Sequence, residues 1–198
     1  MARREIRLAG SGGQGLILAG LILAEAAGIY EGKEVAQTQS YGPEARGGAS
    51  KAEVVISDAE IDYPKAVQPD ILLCMNQRAC DAYLADVRPG AVIIVDGSLV
   101  DALPDDAEVV SLPFTRIARD LLGREMLANI VALGALAALT GIVSLPNLEK
   151  AVLARVPKGT EELNQKALAA GVAAVWEYQA AGKPMAPGAG DRDQNPPP

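Results

Sequence analysis

Short apolar runs, each bounded by turn-forming or charged residues, recur along the first half of the chain and predict β-strands. Residues 69–75 and 91–96 are apolar without alternation, the pattern of strands that are covered on both faces of a sheet. Residues 50–57 alternate between polar and apolar positions and end in a β-branched run, which favours an edge or antiparallel strand. Shorter runs complete the predicted strands: residues 5–9, 33–37 and 108–112.

Stretches with helical spacing separate these strands and continue after them. They predict helices over residues 15–27, 77–87, 124–143, 145–155 and 160–179. Thr160 is the expected N-cap of the last helix, and Glu161 and Glu162 follow in its first turn, where their charge suits the helix dipole. The alternation predicts the α/β class: a three-layer α/β/α single domain with a mostly parallel or mixed sheet, spanning residues 1–181.

Residues 124–143 form the most apolar stretch of the chain. Their length is borderline for a membrane span, but Asn129, Thr140, two glycines and many alanines make a poor one. We therefore predict a buried helix whose small residues allow close packing, either on the sheet or across a subunit interface. After Gly182 the composition changes to Pro, Gly and Asp, which predicts a disordered tail over residues 182–198.

Composition excludes several classes of function. The 198 residues carry a formal net charge of −7, which argues against nucleic acid as the main partner. The chain has no His, so it lacks Ser-His-Asp and Cys-His nucleophiles and the commonest metal ligand. Cys74 and Cys80 are the only cysteines, and their spacing fits neither a zinc site nor an iron–sulfur cluster. We expect both cysteines to be buried structural residues, and we predict no catalytic residue and no metal site.

The start of the chain sets the expected surroundings. Met1 to Arg4 lead directly into the first strand without an apolar signal core, so a cytoplasmic location is expected. An isolated chain would expose an apolar face, which homodimerisation could cover.

Two glycine-punctuated segments are the main candidates for chemistry. The first follows a predicted strand, opens a predicted helix and contributes Gly10, Gly12, Gly13, Gln14 and Gly15. At such a turn the glycines permit positive φ, and the free N–H groups and the dipole of the helix favour a phosphate. The second segment, residues 37–48, supplies a cation suited to phosphate and contributes Tyr41, Arg46, Gly47 and Gly48. We predict that the two segments converge into one anion-binding surface.

Other interpretations of these segments stay open. The first segment can be a turn that lets a helix pack tightly on a sheet, and the second an ordered surface loop. The first also matches the dinucleotide fingerprint, but that fold needs an acidic residue at the end of the second strand, a position that falls near residues 37–39. Glu34 is the nearest candidate carboxylate. A Walker P-loop is excluded, because no Gly-Lys-Ser/Thr follows.

Taken together, four motifs resemble the gamma subunit of 2-oxoacid:ferredoxin oxidoreductases, most closely the 2-oxoglutarate type. They are the Gly-x-Gly-Gly-Gln-Gly turn, the string from Gln37 to Ser50, Val-Ile-Ser-Asp followed by Ile61-Asp62-Tyr63-Pro64, and Ala128 to Gly134. The resemblance covers residues 4–175. It implies the fold of the gamma domain of pyruvate:ferredoxin oxidoreductase.

The resemblance further implies a part in a multi-subunit complex that oxidatively decarboxylates a 2-oxoacid, transfers the acyl group to coenzyme A and reduces ferredoxin. Thiamine diphosphate and the iron–sulfur clusters would belong to alpha, beta and delta partner subunits. Gly12, Gly13, Gln14 and Arg46 would hold the phosphates of coenzyme A. The alternatives are the same subunit of a pyruvate, branched-chain 2-oxoacid or indolepyruvate enzyme, or a stand-alone nucleotide-binding or assembly protein.

Overall fold

The computed structural model describes residues 2–40, 49–104 and 108–183. In these ranges the chain folds as one α/β domain around a six-stranded sheet. The strands are β1 (Arg4–Ser11), β2 (Glu34–Ser40), β3 (Ala49–Ser57), β4 (Ile71–Cys74), β5 (Val92–Asp96) and β6 (Val109–Leu112). Their order in the sheet is β2-β3-β1-β4-β5-β6. The six predicted strands are therefore present, each within a few residues of its expected bounds.

Strand direction confirms the prediction of a mostly parallel, mixed sheet. β3 pairs antiparallel with both β1 and β2, while β1, β4, β5 and β6 pair in parallel, so β3 alone runs against the others. The expected antiparallel direction of β3 is confirmed, but β3 is not an edge strand. Its polar positions include Glu53, which is buried and pairs with Arg7 of β1.

Six helices lie in the described ranges: α1 (Leu16–Glu25), α2 (Gln77–Tyr83), α3 (Phe114–Leu122), α4 (Ala128–Thr140), α5 (Leu145–Arg155) and α6 (Glu161–Ala180). A π-helical turn, Ala26–Tyr30, extends α1. Thr160 is at the N-cap position of α6 as predicted, but its hydroxyl donates to the Pro157 carbonyl instead of capping the helix.

The sequence pattern did not predict α3. Pro113, the residue after β6, is the N-cap residue of this helix, and its carbonyl accepts the Ile117 N–H. A residue that is distant in sequence stabilises the first turn: the buried Asp96 carboxylate accepts hydrogen bonds from the N–H and the hydroxyl of Thr115. The contact joins the end of β5 to the start of α3.

The helices cover the two faces of the sheet unequally. A large core lies on one face, between the strands and α1, α3, α4, α5 and α6. A smaller core on the other face joins Ala9, Leu72 and Val95 of the strands to Ala79 and Cys80 of α2. The predicted three-layer arrangement is confirmed.

The apolar helix α4 packs closely as predicted, but its closest contacts are with α6, whereas the sequence predicted the sheet or a subunit interface. Gly134 of α4 lies against the Leu168 backbone of α6, and Gly171 of α6 lies against the Val131 carbonyl of α4. These two contacts show that α4 and α6 run antiparallel to each other. None of the helices in the described residues is both long and apolar enough to cross a membrane.

Candidate functional site

The turn between β1 and α1 presents two glycines to solvent. Gly12 and Gly13 are exposed, and a Cβ placed on either would meet no atom within 4 Å. Gly13 has a φ of 93° and the N-cap Gly15 a φ of 72°, so both occupy the left-handed region that favours glycine. No side chain among the described residues caps the first turn of α1. Among the described residues, the outer side of the turn is therefore backbone alone, with room for a bound group.

The other two glycines of the turn face inward. A Cβ on Gly10 would collide with the side chains of Gln14 and Leu16, and a Cβ on Gly15 would lie 2.5 Å from the Asn129 amide nitrogen. Asn129, near the start of α4, donates from that nitrogen to the Gly15 carbonyl over 3.1 Å. These positions need glycine for packing, as the alternative interpretation of the segment proposed, whereas Gly12 does not.

Gln14 has an internal role in this turn. Its Oε1 accepts the Ser11 N–H over 2.7 Å, and its Nε2 donates to the Met75 carbonyl over 3.0 Å. The Gln14 side chain therefore ties β1 to the end of β4. Its predicted contact with a phosphate stays a prediction, and the side chain could make such a contact only with the donor hydrogen that remains on Nε2.

Asn76, which follows β4, is the residue that sequence reasoning missed. Its Nδ2 donates to Ser11 Oγ over 2.5 Å and also approaches Gln14 Oε1 at 3.2 Å. Its Oδ1 accepts the Ala79 N–H over 2.8 Å and so caps α2. The available signal was its place directly after an apolar run, where the carboxyl ends of parallel strands meet at one edge of the sheet.

The second predicted segment lies mostly outside the described residues. Residues 41–48 are not described, and they include Tyr41, Arg46, Gly47 and Gly48. The convergence of these residues with the glycine turn therefore stays a prediction. The flanking strands are described: β2 ends at Ser40, and β3 begins at Ala49, which is the register partner of Ser11. The segment is therefore attached to the sheet at the edge that carries the glycine turn.

The strand order argues against the dinucleotide alternative. In the Rossmann arrangement the second strand lies beside the first and brings its acidic residue to the nucleotide. Here β3 separates β2 from β1. Glu34 starts β2 opposite Ser57, so it lies at the far end of the sheet from the glycine turn.

The two cysteines are buried beside the edge of the sheet that carries the glycine turn, as expected. Cys74 ends β4 and Cys80 lies in α2, and both thiols are free. A hydrogen bond with Cys80, together with burial, raises the pKa of the Cys74 thiol far above its ordinary value. The same hydrogen bond lowers the pKa of Cys80. Within the described ranges, no group of three or more Cys, Asp or Glu side chains could hold a metal ion.

Comparison with known proteins identifies the family. The family model described as pyruvate ferredoxin/flavodoxin oxidoreductase matches residues 5–174. The chain belongs to this family. The 2-oxoglutarate synthase subunit KorC of Methanocaldococcus jannaschii is 57% identical over 172 residues, which cover 85% of this chain and 92% of the relative.

Two solved structures extend the comparison to the pyruvate ferredoxin/flavodoxin oxidoreductase fold. The gamma subunit of a keto/oxoacid ferredoxin oxidoreductase from Geobacter sulfurreducens is 52% identical with a TM-score of 0.82, covering 89% of this chain and 98% of that one. The 2-oxoglutarate:ferredoxin oxidoreductase from Magnetococcus marinus is 25% identical with a TM-score of 0.78, covering 89% and 32%. The resemblance to gamma subunits of oxidoreductases in this family, nearest the 2-oxoglutarate type, is confirmed.

Proposed function

We propose that the chain is the gamma-type subunit of a multi-subunit 2-oxoglutarate:ferredoxin oxidoreductase. The observation that carries the proposal is the 57% identity to a KorC subunit over 92% of that relative's length. In the reaction 2-oxoglutarate loses carbon dioxide, its succinyl group passes to the sulfur of coenzyme A, and the released electrons pass to ferredoxin. The chain would act in the cytoplasm, as a subunit that is inactive alone.

The alpha, beta and delta partner subunits would carry out the bond-breaking steps of the reaction. An iron–sulfur cluster needs about four thiolates, whereas this chain has two cysteines. Those two are hydrogen-bonded to each other, and this bond together with burial raises the pKa of Cys74. In the Magnetococcus enzyme the matching region is 32% of a longer polypeptide. Thiamine diphosphate and the clusters would therefore be supplied by the rest of the complex.

This chain would contribute contacts to the phosphates of coenzyme A. The supporting observation is the open outer side of the glycine turn, where Gly12 and Gly13 expose backbone at the start of α1. Helix N-termini favour anions, because their first N–H groups lack partners and the helix dipole is positive there. The Magnetococcus structure was solved with coenzyme A and succinyl-CoA bound. Arg46 would add a planar, permanently charged donor group.

The proposal has two separable parts, assembly and coenzyme A contact. For assembly, the chain is co-expressed with the partner subunits from the same source and purified through a tag on one partner. A brown, cluster-bearing complex that contains this chain and reduces a dye with 2-oxoglutarate and coenzyme A supports the proposal. A colourless chain that purifies alone supports a stand-alone protein. Activity with pyruvate or a branched-chain 2-oxoacid in place of 2-oxoglutarate would reassign the substrate.

For coenzyme A contact, the informative variant is Gly12→Ala in the assembled complex. Gly12 has no positive φ and no neighbour that a methyl group would strike, so the fold should accept alanine. The methyl group would instead occupy space on the open side of the turn. We expect a higher KM for coenzyme A and an unchanged KM for 2-oxoglutarate. An unchanged KM for both would refute the coenzyme A role and leave the assembly role standing.

A further inference from the structure

A side chain from a different strand-to-helix connection contacts both ends of the glycine turn. Asn76 lies between β4 and α2, yet its carboxamide reaches both ends of the turn: Ser11 Oγ at 2.5 Å and Gln14 Oε1 at 3.2 Å. Gln14 in turn accepts the Ser11 N–H and donates to the Met75 carbonyl, next to Asn76 in sequence. The three side chains form a closed network that is partly buried.

The hydrogen bonds of this network do not involve the backbone of Gly12 or Gly13. Gln14 and Asn76 bind Ser11, each other, or the main chain of Met75 and Ala79. Ser50 and Asn129 donate to the carbonyls of Gly10 and Gly15. Gly12 and Gly13, between Ser11 and Gln14, have no side-chain neighbour within 4 Å of a Cβ position. Among the described residues, side chains thus clamp the turn at its two ends and leave its middle open.

We propose that Asn76 is a positioning residue, which holds the Gly12–Gly13 backbone in the conformation that receives the anionic group of coenzyme A. The inference rests on the proposed function, because it assigns a role toward the same ligand. A glycine pair without side-chain contacts has many accessible conformations, and fixing them before binding removes that entropy cost from the binding step. Asn76 itself would make no contact with coenzyme A.

Asn76 has a second task, capping α2 through Oδ1, and a test must separate the two. Serine is an effective N-cap residue but is too short to reach Ser11 and Gln14, so Asn76→Ser keeps the cap and removes the clamp. Asn76→Ala removes both. If only the cap matters, serine should behave as the parent, and if the clamp matters, serine should behave as alanine.

The matched control is Gln77→Ala. Gln77 is the next residue, and its carboxamide also makes several hydrogen bonds, with Asp81 and with the main chain of Asp101 and Ala102. None of these partners belongs to the glycine turn. A general loosening of the β4–α2 connection should therefore appear in Gln77→Ala as well as in the Asn76 variants.

The experiment uses the assembled oxidoreductase and two measurements. Steady-state kinetics should show a KM for coenzyme A raised by about tenfold in Asn76→Ser and Asn76→Ala, with kcat at saturating coenzyme A within about twofold of the parent, because the lost preorganisation is restored by binding. Hydrogen exchange without coenzyme A should be faster in peptides covering residues 10–16. Gln77→Ala should change neither quantity.

The possible failures are distinguishable. If Gly12→Ala raises the KM for coenzyme A but Asn76→Ser does not, the positioning role is wrong and the proposed function stands. If Asn76→Ser accelerates exchange of the turn without raising that KM, the clamp is structural only and the positioning role is again wrong. If Gly12→Ala has no effect on that KM, the coenzyme A role fails and this inference fails with it.

Discussion

Arg7 and Glu53 face each other across β1 and β3, and Arg7 Nε donates to Glu53 Oε1 over 2.9 Å with both side chains at most 6% exposed. Each charge has a further partner. Arg7 also binds Asp86 at 2.7 Å, and Glu53 also binds Lys51 at 2.8 Å. The pair lets one face of β3 be polar inside the sheet, because no buried charge is left alone.

We expect Arg7→Met to lower the free energy of unfolding by about 3–5 kcal/mol, because it leaves the buried Glu53 carboxylate with the Lys51 ammonium and the Thr38 hydroxyl as its partners. The double variant Arg7→Met/Glu53→Leu should recover most of that loss, since a well-packed apolar pair of similar volume is often as stable as a buried ion pair. Urea unfolding of the purified chain measures both. A double variant as unstable as the single one would contradict the explanation.

The control for this prediction is Arg119→Met. Arg119 pairs with Asp120 at 3.1 Å, but both side chains are more than half exposed. Exposed pairs contribute about 0–1 kcal/mol, so the change in unfolding free energy should be small.

Gly171→Ala should destabilise the chain although alanine is the better helix former. A Cβ at Gly171 would lie far closer than 3.0 Å to the Val131 carbonyl, and the obstacle is backbone that no rotamer change can move. We expect a net loss of about 1–3 kcal/mol, the range for overpacked cores. The measurement is a urea or thermal unfolding curve.

Ala169→Leu on the same helix is the matched control for Gly171→Ala. Ala169 is exposed, and leucine is also a good helix former, so stability should change by less than about 0.5 kcal/mol. Equal losses at positions 169 and 171 would show that α6 tolerates no enlargement anywhere and would remove the helix-contact explanation.

Gly13→Ala should lower the free energy of unfolding because of the backbone dihedral φ and not because of a steric clash. Gly13 has a φ of 93° with no neighbour within 4 Å of a Cβ, and Gly90 shares both properties with a φ of 78°. Both alanine variants should lose about 1–2 kcal/mol of unfolding free energy, the cost of left-handed backbone for a residue with a Cβ. Only Gly13→Ala should also raise the KM for coenzyme A in the assembled complex. A similar rise in Gly90→Ala would point to reduced stability as its cause.

Arg46→Ala should weaken coenzyme A binding if Arg46 contacts a phosphate. Hydrogen bonds to charged groups contribute about 1.5–3 kcal/mol, so the KM for coenzyme A should rise by about 10- to 100-fold. Higher salt should reduce the difference between variant and parent. Lys158→Ala removes an exposed cation from another part of the chain and should leave the KM unchanged. An unaltered KM in Arg46→Ala would remove Arg46 from the site.

The sequence predicted the elements well where local signals and burial agree. α5 spans Leu145–Arg155, the predicted range, because proline stands in its first turn and its apolar residues have helical spacing. β4 and β5 are buried throughout, as their continuous apolar runs indicated. The gamma-subunit resemblance was visible in the motifs alone.

The errors arose where distant residues decide the outcome. α3 depends on Asp96, which binds Thr115 from the end of another strand. β3 has the polar–apolar alternation of an edge strand but lies inside the sheet, which is possible because Arg7 neutralises its buried Glu53. Within the glycine turn, Asn129 and Gln14 determine that Gly15 and Gly10 face inward, and neither contact follows from the spacing of the glycines.

The burial of α4 has a consequence for biosynthesis. α4 lies against α6, which follows it in the chain and ends at Ala180. During translation, α4 must therefore wait for α6 before the side that faces α6 is covered. Folding of the domain core can therefore finish only after residue 180 has left the ribosome, and a chain that stops before residue 161 should depend on chaperones and be degraded rapidly.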